Sequence, residues 1–171
     1  MVSEEMVILV DEFDNELGVM GKMAAHLEGR LHRAISIFLF NDQGQMLLQQ
    51  RAFSKYHSGG LWSNTCCSHP RQHESVMDAA KRRLFEEMGI QCELEQTFHF
   101  IYKVVLDKGL TEHELDHVLV GKFNGEPILN PEEAASWKWI DVDVLVNDIA
   151  ADPEQYTAWF KIALSQLARP A

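Results

Sequence analysis

The chain has 171 residues, 46% hydrophobic and 24% charged, which suits one soluble domain over residues 1–171 and is short for two. Its formal charge of −11 argues against a nucleic-acid partner, since phosphate contacts need clustered Lys and Arg, although a few local cations could still hold a small anion. The opening residues lack a signal-peptide pattern, no apolar run is long enough to cross a bilayer, and three cysteines make no disulfide framework, so a cytoplasmic protein with no membrane partner is expected.

Residues 7–10 read as a first strand and residues 11–18 as a turn-rich connection. Residues 20–29 have helical character and set Lys22 and His26 one turn apart. Residues 33–40 and 45–51 read as the two strands of a hairpin around the turn 41–44. A glycine-containing loop over 52–61 leads to an extended run, 62–69, that Pro70 ends. In such a run residues two apart share a face, so Cys67 is expected to point with Thr65 and His69, and Cys66 to point the other way into packing.

Ser75 and Asp78 form a capping-box signal for the clearest helix, whose Val76, Ala80, Leu84 and Met88 fall on one stripe before Gly89. Strands are expected over 98–106, 112–123 and 136–140, then helices over 141–150 and 153–168. Alternation puts Glu112, Glu114 and Asp116 on one face of their strand, with His113 and His117 on the other. Strands around one central helix, with helices gathered at the end, predict an α+β fold with a mixed-sheet sandwich.

Glu74, Arg82, Leu84, Glu86, Glu87, Gly89 and Ile90 are spaced as in the Nudix box, G-x5-E-x7-R-E-U-x-E-E-x-G-U, with U aliphatic. The segment 68–90 resembles that box, which implies a Nudix-like fold that handles diphosphates. Glutamates on one side of a helix are hard ligands for Mg²⁺, which in turn bridges phosphate oxygens, and Glu87 is the expected ligand of an Mg²⁺ carried with a substrate diphosphate. Two positions depart from the box: Ser68 replaces the opening Gly, and Arg83 replaces the Glu that hydrolases of this fold use in their metal cluster. Diphosphate binding is therefore expected to survive without the hydrolytic arrangement.

The run Trp62-Ser-Asn-Thr-Cys-Cys-Ser-His-Pro70 resembles the W-T/S-N-x-x-C-x-H-P signature of type I isopentenyl-diphosphate isomerases, and Glu112-His-Glu114 resembles their E-x-E. The resemblance covers nearly the whole chain. It implies interconversion of isopentenyl and dimethylallyl diphosphate by a 1,3-proton shift in isoprenoid biosynthesis, with Cys67 and Glu114 as the acid–base pair, assisted by Tyr102 and Trp159. It also implies metal ligation by His26, His32, His69, Glu112 and Glu114, although the His26–His32 spacing is one residue shorter than in the bacterial pattern. Three imidazoles and two carboxylates suit Mn²⁺ or Zn²⁺. Lys22, Arg51, Lys55 and Arg83 take the family's diphosphate-binding positions, with Arg82 beside them. A monomer acting on a small isoprenoid diphosphate is expected, and no flavin-binding pattern is present. Taken singly, each of these residues would be an ordinary surface or core side chain. The rival readings are a Nudix pyrophosphohydrolase, which would release phosphate and not need Cys67, and a catalytically inert metal-binding module.

Overall fold

The computed structural model describes residues 5–167. Strand β1 (Met6–Val10) is followed by a tight turn in which Asp11 Oδ1 accepts from the N–H groups of Phe13 and Asn15. That turn sends Glu16–Gly21 back along β1 as an antiparallel strand, β2, where a turn-rich connection was expected. The segment Glu-Leu-Gly-Val-Met-Gly reads as turn because of its two glycines, and because Leu17 and Val19 stay exposed on a sheet edge with no buried alternation to announce them. Helix α1 (Lys22–Glu28) is correspondingly shorter than expected. Gly29 ends it in the left-handed conformation (φ 69°), which lets β3 (His32–Phe40) begin three residues later. The short His26–His32 spacing is accommodated by that abrupt reversal.

The turn after β3 forms as expected, but β3 and β4 (Gln45–Arg51) do not make an ordinary hairpin. They pair at Phe40 and Met46 and then diverge. Strand β3 runs parallel to β8 (Thr111–Lys122) from His32 opposite Glu114 to Phe40 opposite Lys122, while β4 pairs with β9 (Ala134–Asp141). Strand β7 (Leu94–Val105) covers the outer edge of β8.

The expected extended run 62–69 bridges this divergence in two pieces. β5 (Trp62–Ser63) joins β4, and β6 (Cys66–Ser68) joins β3. Between them, the Thr65 hydroxyl accepts from Leu39 N (3.0 Å) and donates to Leu47 O (2.7 Å), while Asn64 Nδ2 donates to Ile37 O (3.0 Å). Backbone groups that a hairpin would have paired are satisfied by side chains instead. Thr65 is therefore held between the two limbs and does not share the outlook of Cys67, contrary to the alternation argument.

Helix α2 (Val76–Met88) packs on one face of the curled sheet, where Ala80, Leu84 and Met88 meet Ile35, Ile37, Leu39, Leu47 and Cys66. Helices α3 (Val142–Ala151) and α4 (Ala158–Leu167) cover part of the other face, with Phe160 and Leu164 against Phe38, Met46 and Val118. The helix expected over 153–168 is broken. Pro153–Gln155 form a single 3₁₀ turn, Tyr156 bridges to Trp62, and α4 begins after Thr157; Ala168 lies outside the described residues. Helices on both faces of a mixed sheet make this the expected α+β architecture.

Ser75 caps α2 by accepting from Asp78 N (3.0 Å), and Gly89 closes it at φ 65°. A Cβ at Gly89 would meet Ile128 O at 2.7 Å as well as forcing a side chain into the left-handed region. Replacing Ser75 by Ala is expected to cost about 1 kcal/mol. Gly89→Ala is expected to cost more, on the order of 2–3 kcal/mol, read as a lower urea midpoint at unchanged slope.

Candidate active site

The strand registers gather one set of side chains on one face. His32 stands opposite Glu114, Ala34 opposite Asp116, and Ser36 opposite Val118 across β3 and β8. Tyr102 of β7 stands opposite Glu114, and Cys67 of β6 stands opposite Ser36. Opposed residues project to the same side, so the thiol, the carboxylates and the imidazole of His32 share the face that α4 covers farther along. Cys66 points the other way into the α2 core, as expected. His113 and His117 also turn away, toward Gly29 O and Asp14.

Glu114 sits at the centre of a buried network. Its Oε2 lies 3.0 Å from His32 Nε2 and 2.7 Å from His69 Nε2, and its Oε1 meets the Tyr102 hydroxyl. The same hydroxyl is hydrogen-bonded to Glu112. A phenol has one proton to give, so the hydroxyl can donate to only one of the two carboxyls at a time. Burial, reinforced by repulsion from Glu114, pushes the Glu112 carboxyl up. Burial acts on Glu114 too, but His69 and His32 outweigh it and hold that carboxyl well below the usual range. In return Glu114 overcomes the burial of His32 and raises its pKa, whereas burial dominates at His69 and lowers it to about 4. Tyr102 therefore stands behind the carboxylates and links them.

Cys67 Sγ donates to Asn64 Oδ1 (2.9 Å) and lies 3.6 Å from Ser36 Oγ, which donates to Asp116 Oδ2 (2.6 Å). Asn64 Nδ2 is committed to Ile37 O and Cys66 O, so the amide must present its oxygen to the sulfur. Burial first, then the nearby Asp116, push the thiol up, and the group is held as a neutral thiol.

The cleft in front of these groups is rimmed by Lys22, Arg51, Lys55 and Arg83, the expected diphosphate cations. Each is partnered. Lys22 meets Glu5 (2.9 Å), Lys55 meets Glu133 (2.7 Å), and Arg83 meets Glu87 (2.8 Å) and Glu133 (3.3 Å). Lys22 overcomes the burial of Glu5 and lowers its pKa to about 2. Arg51 lies over the Trp159 ring, 4.9 Å from its centroid, and Trp159 lines the same cleft. Arg82 is not brought there. Its guanidinium forks onto Glu74 (2.8 and 2.9 Å) and reaches Glu86 (2.8 Å), so it fixes α2 to the preceding loop. Glu87 stands in the cleft wall, where it accepts from Arg83 Nη2.

Four cleft residues escaped the sequence reading: Glu5, Tyr56, His57 and Glu133. Tyr56 and His57 sit in an aperiodic loop, and Glu5 and Glu133 carry no motif.

A NUDIX domain model matches residues 30–160. Isopentenyl-diphosphate Delta-isomerase 2 of Aromatoleum aromaticum is 56% identical over 164 residues, covering 96% of this chain and 87% of that protein. The chain belongs to the isopentenyl-diphosphate Delta-isomerase family. The Serratia proteamaculans member is 52% identical over 96% of this chain and 92% of its own length. Among solved structures, DR0079 from Deinococcus radiodurans superposes with a TM-score of 0.81 at 21% identity, over 96% of this chain and all of that one, and shows the shared Nudix fold.

The isomerase-family metal positions fit a divalent cation. His26, His32, His69 and Glu114 each bring a ligand atom within 4.8 Å of the others, and Glu112 Oε2 lies 3.7 Å from His26 Nε2. That buried Nε2 has no hydrogen-bond partner among the described residues, a costly arrangement unless something else binds there. A proton on His32 competes directly with such an ion. Because the folded pKa of His32 is raised, affinity should start falling above the ordinary imidazole value of about 6.5 as pH drops. Chelator competition for Co²⁺ across pH should show a loss that approaches about tenfold per unit once the pH lies below the folded pKa of His32.

Proposed function

We propose that this chain interconverts isopentenyl diphosphate and dimethylallyl diphosphate by protonating one face of the carbon chain and deprotonating the other. The observation that carries this reading is the joint presence, in one cleft, of Cys67, Glu114 and a rim of cations. Protonating an unactivated alkene generates a tertiary carbocation, so the donor must be a strong acid and water must be kept out.

The carboxyl side suits the acid. Tyr102 bridges Glu112 and Glu114, so a proton can be passed between them, and the network is buried. A divalent ion at His26, His32, His69, Glu112 and Glu114, which we take to be Mn²⁺ or Zn²⁺, would withdraw charge from the carboxyls and make a proton held there more acidic. On the other side Cys67, oriented by Asn64 and kept neutral by burial and the nearby Asp116, completes the exchange; its role as donor or acceptor reverses with the direction of reaction. Trp159 lines the cleft, and the π face of an indole can meet developing positive charge, a contact worth up to about 2 kcal/mol.

The diphosphate would replace Glu5, Glu133 and Glu87 as partner of Lys22, Lys55 and Arg83, with Arg51 beside it, and Mg²⁺ carried with it would be met by Glu87. Arg83, in the place of a hydrolytic Glu, supports isomerisation over phosphate release. We assign the enzyme to the cytoplasm as a monomer; among the described residues no helix is long and apolar enough to cross a membrane.

Incubated with isopentenyl diphosphate and Mg²⁺, the protein should yield the dimethylallyl isomer without free phosphate. Cys67→Ala and Glu114→Gln should each lose at least about 10²-fold in kcat. Near wild-type turnover in either variant would remove that residue from the mechanism, and phosphate release would favour the hydrolase.

A further inference from the structure

Outside the family's five positions, one more imidazole reaches the same buried cluster. His57 belongs to the loop between β4 and β5 and is only 3% exposed. Its Nε2 lies 3.9 Å from Glu112 Oε2, which is 3.7 Å from His26 Nε2. His26, His57 and Glu112 each contribute a ligand atom within 4.8 Å of the other two. Two ligands about 2.1 Å from a common ion can stand up to about 4.2 Å apart, so both measured separations are compatible with one cation.

The orientation of the ring follows a device that the structure uses repeatedly. His26 Nδ1 is bonded to Lys22 O (2.7 Å) and His32 Nδ1 to Arg30 O (2.9 Å), which leaves Nε2 of each ring directed inward. His57 Nδ1 is likewise engaged locally, by Ser58 Oγ at 3.2 Å. Metal-binding histidines are characteristically fixed through the ring nitrogen that does not bind the metal. The loop is built to hold this pose. Arg51 Nη2 donates to His57 O (3.1 Å), Gly60 N to Arg51 O (3.1 Å), and Ser58 adopts φ 53°, a conformation that non-glycine residues seldom take. His26 Nε2, without a hydrogen-bond partner among the described residues, belongs both to the group with His32, His69 and Glu114 and to the group with His57 and Glu112.

We propose that His57 is, with His26 and Glu112, a ligand of a divalent ion held on the Glu112 side of the cluster, next to the position that His26, His32, His69 and Glu114 define. The inference rests on the metal centre read above and does not depend on which reaction the centre serves. The competing account is packing: His57 meets the rings of Tyr56 (4.4 Å, 81°) and Trp159 (5.5 Å, 87°) edge to face. Phenylalanine preserves an aromatic ring at that place but offers no lone pair, which separates the two accounts.

The test uses the full chain loaded with Co²⁺ and no substrate, comparing wild type, His57→Phe and His57→Gln. Chelator competition gives affinity, and the visible d–d absorption reports the ligand field. Thermal unfolding of the metal-free proteins identifies any variant that fails to fold, and the other then carries the comparison. Loss of a ligand should weaken Co²⁺ binding about 10- to 100-fold and change the d–d band in both variants. Wild-type absorption, or affinity within twofold of wild type, in a folded His57→Phe protein would overturn the proposal. Failure of the isomerase reading would instead appear as absent turnover in a wild-type protein that binds Co²⁺ normally.

Discussion

From His32 to Phe40, β3 lies parallel to β8, and the offset of that pairing decides which side chains can meet. His32 comes level with Glu114 and Ser36 with Val118, and the antiparallel strands on either side add Tyr102 and Cys67 to the same face. A slip of one residue in β8 would turn every side chain over. His113, Leu115 and His117 would then look into the cleft, and the carboxylates would be driven toward the opposite side. The site is therefore a property of strand register first and of loop geometry second. The apolar residues beyond it enforce the register: Leu115, Leu119 and Val118 are buried, each committed to one face.

That arrangement works against stability locally. Three carboxyl groups on β8, with His26, His32 and His57 beside two of them, are removed from water, and His69 is half-buried against Glu114. Buried ionisable groups are tolerated when each finds a partner, and breaking one partnership leaves an uncompensated charge. Tyr102 is the common partner of Glu112 and Glu114, while Ser36 serves Asp116. The two apolar layers, α2 on one face and α3 with α4 on the other, supply the burial that offsets this concentration of polarity.

Much of this was legible in the sequence because period-two alternation survives translation into structure. It separated Cys67 from Cys66, and Glu112 and Glu114 from His113, without any knowledge of partners. It failed where a strand is an exposed edge, as in β2, and where a chain changes partners midway, as at Thr65. Charge identity was a weaker guide than charge company. Arg82 and Arg83 are neighbours in sequence, yet Arg82 is tied to Glu74 and Glu86, whereas Arg83 faces the cleft with Glu87 and Glu133. Tyr56 and His57 lie in a loop whose course depends on long-range contacts, such as Ala52 N to Glu133 O, that no local pattern records.

The bridging of the diverging strands by Asn64 and Thr65 has a mechanical consequence. The same short segment fastens the two limbs of the sheet and carries the reactive sulfur, and a single amide, Asn64, touches both backbone and thiol. The backbone that carries the thiol has no hinge of its own. Any backbone motion large enough to withdraw it must also unfasten Leu39, Leu47 or Ile37. Inactivation through displacement of Cys67 and loss of the sheet thus become one cooperative event, and repositioning within the reaction cycle falls to the substrate and to the ion-paired side chains at the rim.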